Sequence, residues 1–66
     1  MLTNILDLRK LLLEKELDEN VLDDPLLANI FLEVAKEKEK YYGEEYWNTK
    51  EGLQFLHLGV DSLSII

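Results

Sequence analysis

The stretch DPLLANIFLEVAKEKEKYYG, from Asp24 to Gly43, carries the clearest structural punctuation in the chain. Asp24 is a good N-cap because its short carboxylate can accept from the free N–H groups of a first helical turn. Pro25 suits the first helical position, where its missing N–H is no loss, and Gly43 suits the stop. The pattern predicts a helix over 25–42. On it Leu27, Ile30, Phe31, Val34 and Tyr41 fall on one broad face, with Lys38 near its edge. Glu33, Lys36, Glu37 and Lys40 fall on the other. Their i, i+3 pairs contribute a few tenths of a kcal/mol each at most, ~0.2–0.5. The run Lys36 to Lys40 reads as a solvated helix end.

Upstream, a second helix is predicted from about Asn4 to Leu17. Asn4 is its N-cap, and Asp7 three residues later resembles a capping box. Ile5, Leu8 and Leu12 form one apolar stripe, with Leu11 on its flank. Leu6, Leu13 and Leu17 form another, roughly 100° or more around the helix. A surface helix needs one stripe, so two predict cover on both sides. Between the helices, Asp18 to Asp24 reads as an acidic turn anchored by Val21 and Leu22. It lacks the Gly and the bidentate Glu of a calcium loop.

Downstream, Thr49 is placed to cap a short helix from Lys50 to Leu58, ended by Gly59. Gly52 inside it costs about 1 kcal/mol relative to Ala. Leu53 to Leu58 also fits a buried strand, because short apolar runs do not separate the two. The apolar end, Leu63, Ile65 and Ile66, is expected to dock. The expected fold is therefore all-α: one domain over 1–66, a hairpin of two main helices plus a short third helix or extended C-terminal segment.

The chain has 66 residues and no Cys, so neither disulfides nor thiolate metal ligands can support so small a core. Fourteen acidic against seven basic residues give a net charge of −7. That balance argues against direct nucleic-acid binding and against an anionic membrane surface. No apolar run approaches the roughly 20 residues a membrane span requires. Nothing at the N-terminus reads as a signal peptide, and a cytoplasmic protein is expected. His57 is the sole histidine and lies among apolar neighbours. Without a nucleophile–base pair or a cleft to shift a carboxyl pKa, no catalytic residue, cofactor site or metal site is assigned.

His57-Leu58-Gly59-Val60-Asp61-Ser62-Leu63 resembles the phosphopantetheine attachment site of acyl and peptidyl carrier proteins. In that family an Asp-Ser-Leu follows a Leu-Gly pair and the serine starts a helix, so the resemblance implies Ser62 as the modified residue. It covers about seven residues, the upstream spacing is longer than in the family, and the family continues past the serine where this sequence ends at Ile66. The ending Tyr41-Tyr42-Gly43 after an acidic, Pro-started opening faintly resembles the small helical head–tail connectors of tailed bacteriophages, and no residue role is carried over from that.

Tyr41, Tyr42, Tyr46 and Trp47 are a candidate binding surface, since Tyr and Trp join apolar area to a polar handle; they serve equally as core. The leading expectation is a non-enzymatic protein-interaction module, a subunit or adaptor that meets a protein partner or a second copy through Leu13, Leu17, Tyr42, Tyr46, Trp47, Ile65 and Ile66. The alternative is an acidic inhibitor of a nucleic-acid-binding protein, of the DNA-mimic or phage anti-defence type. Its acids are interleaved with lysines, which weakens a one-sided field.

Overall fold

A computed structural model describes residues 1–64. Three α-helices follow in order, α1 (Ile5–Glu14), α2 (Pro25–Tyr42) and α3 (Lys50–Ser64), and there is no strand among the described residues. Two short 3-10 turns, Glu19–Asp23 and Glu44–Asn48, join them and serve as packing surfaces in their own right. The third helix is longer than expected and exceeds α1, so the hairpin becomes a three-helix arrangement. None of the helices is long and apolar enough to cross a membrane among the described residues.

The predicted caps form. The Asn4 side chain accepts from the Asp7 N–H at 3.0 Å, while Asp7 in turn accepts from the Thr3 N–H at 3.0 Å and from the Thr3 hydroxyl. Asp24 accepts from the N–H groups of Leu26 and Leu27 at 3.0 and 3.4 Å. Thr49 Oγ1 accepts from the Gly52 N–H at 3.0 Å and donates to the Tyr46 carbonyl at 2.6 Å, so one hydroxyl ties the second 3-10 turn to the start of α3.

The first helix stops at Glu14 rather than Leu17. Glu16 adopts φ +60°, the Glu16 N–H donates to the Leu13 carbonyl at 3.0 Å and the Leu17 N–H to the Leu12 carbonyl at 2.8 Å. This is a Schellman ending with a glutamate where glycine is usual. The reversal removes Leu17 from the Leu6–Leu13 stripe and sets it against the core. The acidic turn that comes next is not simply solvated. Arg9 reaches across from α1 to the Glu19 carbonyl at 3.4 Å and to Asp23 at 3.1 Å, and Leu22 of the turn is buried.

The core gathers Leu8, Leu11 and Leu12 of α1, Leu22, Ala28, Phe31, Leu32 and Ala35 of α2, Trp47, and Leu56 and Val60 of α3. Leu2, from the segment before α1, completes it. Fully burying Leu8, Leu12 or Leu56 contributes about 1.5–3 kcal/mol each. The inward face of α2 is thus Ala28, Phe31, Leu32, Ala35 and Glu39, rotated from the expected Leu27–Ile30–Phe31–Val34–Tyr41 face. Phe31 belongs to both; Ile30, Val34 and Tyr41 point outward. Alanines allow close approach, and the larger outward residues would not fit that space.

Glycine decides how α3 packs. A Cβ on Gly52 would lie 1.9 Å from the Tyr46 carbonyl oxygen, and one on Gly59 would lie 2.5 Å from the Phe31 ring. Gly59 therefore does not end the helix, as its position suggested; it seats α3 against Phe31 and the helix runs on to Ser64. Two substitutions should consequently move stability against naive helix propensity. Gly52→Ala, favoured by propensity, is expected to destabilise by about 1–3 kcal/mol through overpacking against backbone. Glu16→Gly, disfavoured by propensity, is expected to stabilise by about 0.5–1 kcal/mol by relieving the left-handed conformation. Urea midpoints at constant slope check both signs.

Candidate interaction surface

Local bonding sorts the aromatic residues into core and surface. Glu39 lies within the charged run of α2, yet it is only 6% exposed. Its Oε1 accepts the backbone N–H of Leu2 at 2.7 Å and its Oε2 accepts the Nε1–H of Trp47 at 2.9 Å. The expected solvated helix end is corrected at this residue: every fourth position of an inward face returns to the core, and 28, 35 and 39 share that face with 31 and 32. An acid is tolerated there because both oxygens meet donors. Trp47 is held inside by this bond and is 4% exposed, so it is core and not free surface.

From Trp47 the rings run outward. Tyr46 meets Trp47 edge to face at 5.1 Å, Tyr42 stacks on Tyr46 at 4.6 Å with 14° between planes, and Tyr41 meets Tyr42 edge to face at 4.7 Å. Inward, Trp47 lies 6.0 Å from Phe55, which packs edge to face with Phe31 at 5.8 Å. The ladder passes from a fully packed indole to Tyr41, which is 82% exposed. Tyr46 is half-buried and Tyr42 exposed.

The outer face of α2 carries exposed apolar residues, with the exposed Glu37 set between Val34 and Tyr41. Leu26, Ile30 and Val34 follow i, i+4, i+8 spacing, and Tyr41 returns to the same side, all exposed. At 3.6 residues per turn these four fall within an arc of roughly 80°. On α1, Leu6 and Leu13 are exposed, so the third segment does not cover the second stripe of that helix. Of the residues singled out from sequence, Leu13 and Tyr42 are on the surface, Tyr46 is at its edge, and Leu17 and Trp47 pack inward. Ile65 and Ile66 lie outside the described residues. Ile30, Val34 and Tyr41 share the apolar face expected from the sequence, and the burial of Ala28 and Ala35 is what turns that face outward.

Some of the surface charges are paired. The Met1 ammonium pairs with Glu44 at 2.7 Å, which holds the Glu44 carboxyl below its ordinary value and raises the amine. The Thr3 hydroxyl and N–H hold Asp7 below the usual carboxylate range. Lys36 pairs with Glu33 at 3.3 Å. Among the described residues no group of three His, Cys, Asp or Glu converges to hold a metal. His57 is exposed on α3.

The carrier-like stretch does not have the carrier arrangement. Ser62 sits in the last turn of α3 rather than at the start of a helix, and Gly59 and Leu58 are helical before it. The geometry that would present a serine for phosphopantetheine attachment is absent from these residues. Compared with protein-family models, curated proteins and solved structures, the chain shows no match.

Glu39→Gln tests the sorting contact. An amide can accept from only one of the two donors and turns an N–H toward the other, so a loss of about 1–3 kcal/mol is expected. Trp47→Phe should cost less in the Glu39→Gln background than alone, and a double-mutant cycle from denaturant unfolding measures that coupling.

Proposed function

We propose that this chain is a non-enzymatic protein-binding module, a small subunit or adaptor that docks a protein partner through the outer face of α2. The carrying observation is the stripe of Leu26, Ile30, Val34 and Tyr41, left exposed although the core beneath α2 is already complete. Contiguous apolar patches beyond a few hundred Å², roughly 300–600, are uncommon on isolated domains, and Leu26, Ile30 and Val34 form an exposed apolar run bordered by Glu37. Removing it from water contributes about 25 cal/mol per Å², a meaningful gain for a domain of marginal size. Leu6 and Leu13 on α1 offer a second, smaller apolar contact. A cytoplasmic location accompanies this reading.

The second reading is an acidic inhibitor of a nucleic-acid-binding protein, and the net charge of −7 favours it. The Glu33–Lys36 pair and the lysines beside it blunt the field along α2, which supports the adaptor instead.

An Ile30→Lys, Val34→Lys variant tests the stripe, since both side chains are exposed and the fold should persist with an unchanged melting temperature. The wild type is expected to self-associate in sedimentation equilibrium or to hold a stable partner in affinity capture, and the variant to lose that association. A recovered structural subunit favours the adaptor; a recovered nuclease or polymerase favours the inhibitor. A wild type that is monomeric at every concentration, with a capture profile identical to that of the variant, contradicts the proposal.

A further inference from the structure

Where α2 gives way to the second 3-10 turn and α3 begins, Tyr42, Glu45, Tyr46, Thr49 and Glu51 line an open cleft of about 440 Å³. Its size falls in the range of small-ligand sites, roughly 300–1,000 Å³. Two features make its chemistry specific. The Tyr42 and Tyr46 rings are stacked on each other at 4.6 Å and nearly parallel, so each covers one face of the other, and the electron-rich outer face of the exposed Tyr42 ring is what a planar cation would meet. Glu45 and Glu51 are exposed at the same cleft, and neither is in an ion pair among the described residues, unlike Glu44 and Glu33.

One side of the wall is tied to the core. Thr49 is fixed between the Tyr46 carbonyl and the Gly52 N–H, and the absent Cβ of Gly52 brings α3 against the Tyr46 backbone. Tyr46 is held from behind by Trp47, whose indole is bonded to Glu39. Ordering a wall already held by such contacts costs less when a ligand enters.

We propose that this cleft takes the guanidinium of an arginine from a basic segment of the partner protein. This deepens the protein-binding reading and rests on it, naming the chemistry of the partner. A guanidinium is planar, stacks on aromatic rings and donates in parallel to carboxylates, so it uses the tyrosines and the glutamates together. An ammonium would use the charge and lose the stacking. An anionic or purely apolar side chain would leave Glu45 and Glu51 facing it uncompensated. The net charge of −7 makes approach of a basic segment favourable from a distance.

The test uses the full chain, labelled with nitrogen-15 at physiological salt, and a blocked glycine–arginine repeat peptide. The same peptide with lysine and with citrulline in place of arginine is titrated beside it. Saturable shifts centred on Tyr42, Glu45, Tyr46, Thr49 and Glu51 are expected, with lysine about threefold weaker and citrulline about tenfold weaker. Tyr42→Leu, at an exposed position, and Glu45→Gln with Glu51→Gln should each weaken arginine binding about fivefold while leaving the remaining spectrum in place. Shifts spread over the acidic surface, equal binding of lysine and arginine, or indifference to Tyr42→Leu would each overturn the proposal. Arginine selectivity retained when the α2 stripe proves silent would support the cleft and count against the α2 reading alone.

Discussion

Glu39 accepts one hydrogen bond from the backbone of Leu2 and one from the indole of Trp47, and both segments it holds would otherwise be loose. Leu2 belongs to the irregular segment before α1, backbone outside any helix that is loose unless tied down. Trp47 belongs to a five-residue 3-10 turn, too short to be stable alone. Fastening both to α2 completes the hydrophobic core at one end. It also orients the turn that carries Tyr46 and ends at Thr49, from which α3 departs. The backbone carbonyl of the same Glu39 accepts the Gly43 N–H at 2.7 Å, so one residue both closes α2 and positions the 3-10 turn beyond it.

The rest of the architecture reflects economy in a small chain. With helices too few to enclose one another, packing depends on close approach: Ala28 and Ala35 on α2, Gly52 and Gly59 on α3. Small residues let the elements approach closely, and on α2 the face built around Ala28 and Ala35 takes Phe31 and Leu32 inward while Leu26, Ile30 and Val34 fall outward. The exposed stripe is therefore a consequence of how the core is built. A chain using Ile30 and Val34 inward would need wider helix spacing and a larger third layer than α3 supplies. The same tight seam fixes the tyrosine wall, so core packing and surface chemistry are joined through Trp47, Tyr46 and Tyr42.

Much of the local structure was legible in the sequence. Asn4, Asp24, Pro25, Gly43 and Thr49 act through short-range chemistry, and each stands where its capping or turn preference predicts. The all-helical class and the two main helices are consequences of those signals. What was hidden depends on contacts distant in sequence. Glu39 looks like any member of an alternating charge run, because its donors are 37 and 8 residues away. The phase of α2 was ambiguous because apolar residues occupy most of its circumference, and alanine weighs little in an apolar stripe. Glu16 carries no signal for a left-handed turn, and Gly59 looked like a stop because its partner, Phe31, is on another helix. For the surface, Leu13 and Tyr42 were legible as exposed candidates; Leu17 and Trp47 were not separable from them without the Schellman turn and the Glu39 bond.

The Glu39 contact belongs to the cooperative core rather than to the surface. Amide and indole hydrogen exchange tests it most directly, reading the Leu2 N–H and the Trp47 Nε1–H beside the amides of Leu12 and Leu56. Both protons are expected to exchange only through global unfolding, with protection matching that of the two core leucines. Exchange at Leu2 and Trp47 at the rate of a frayed terminus, while Leu12 and Leu56 stay protected, would contradict it.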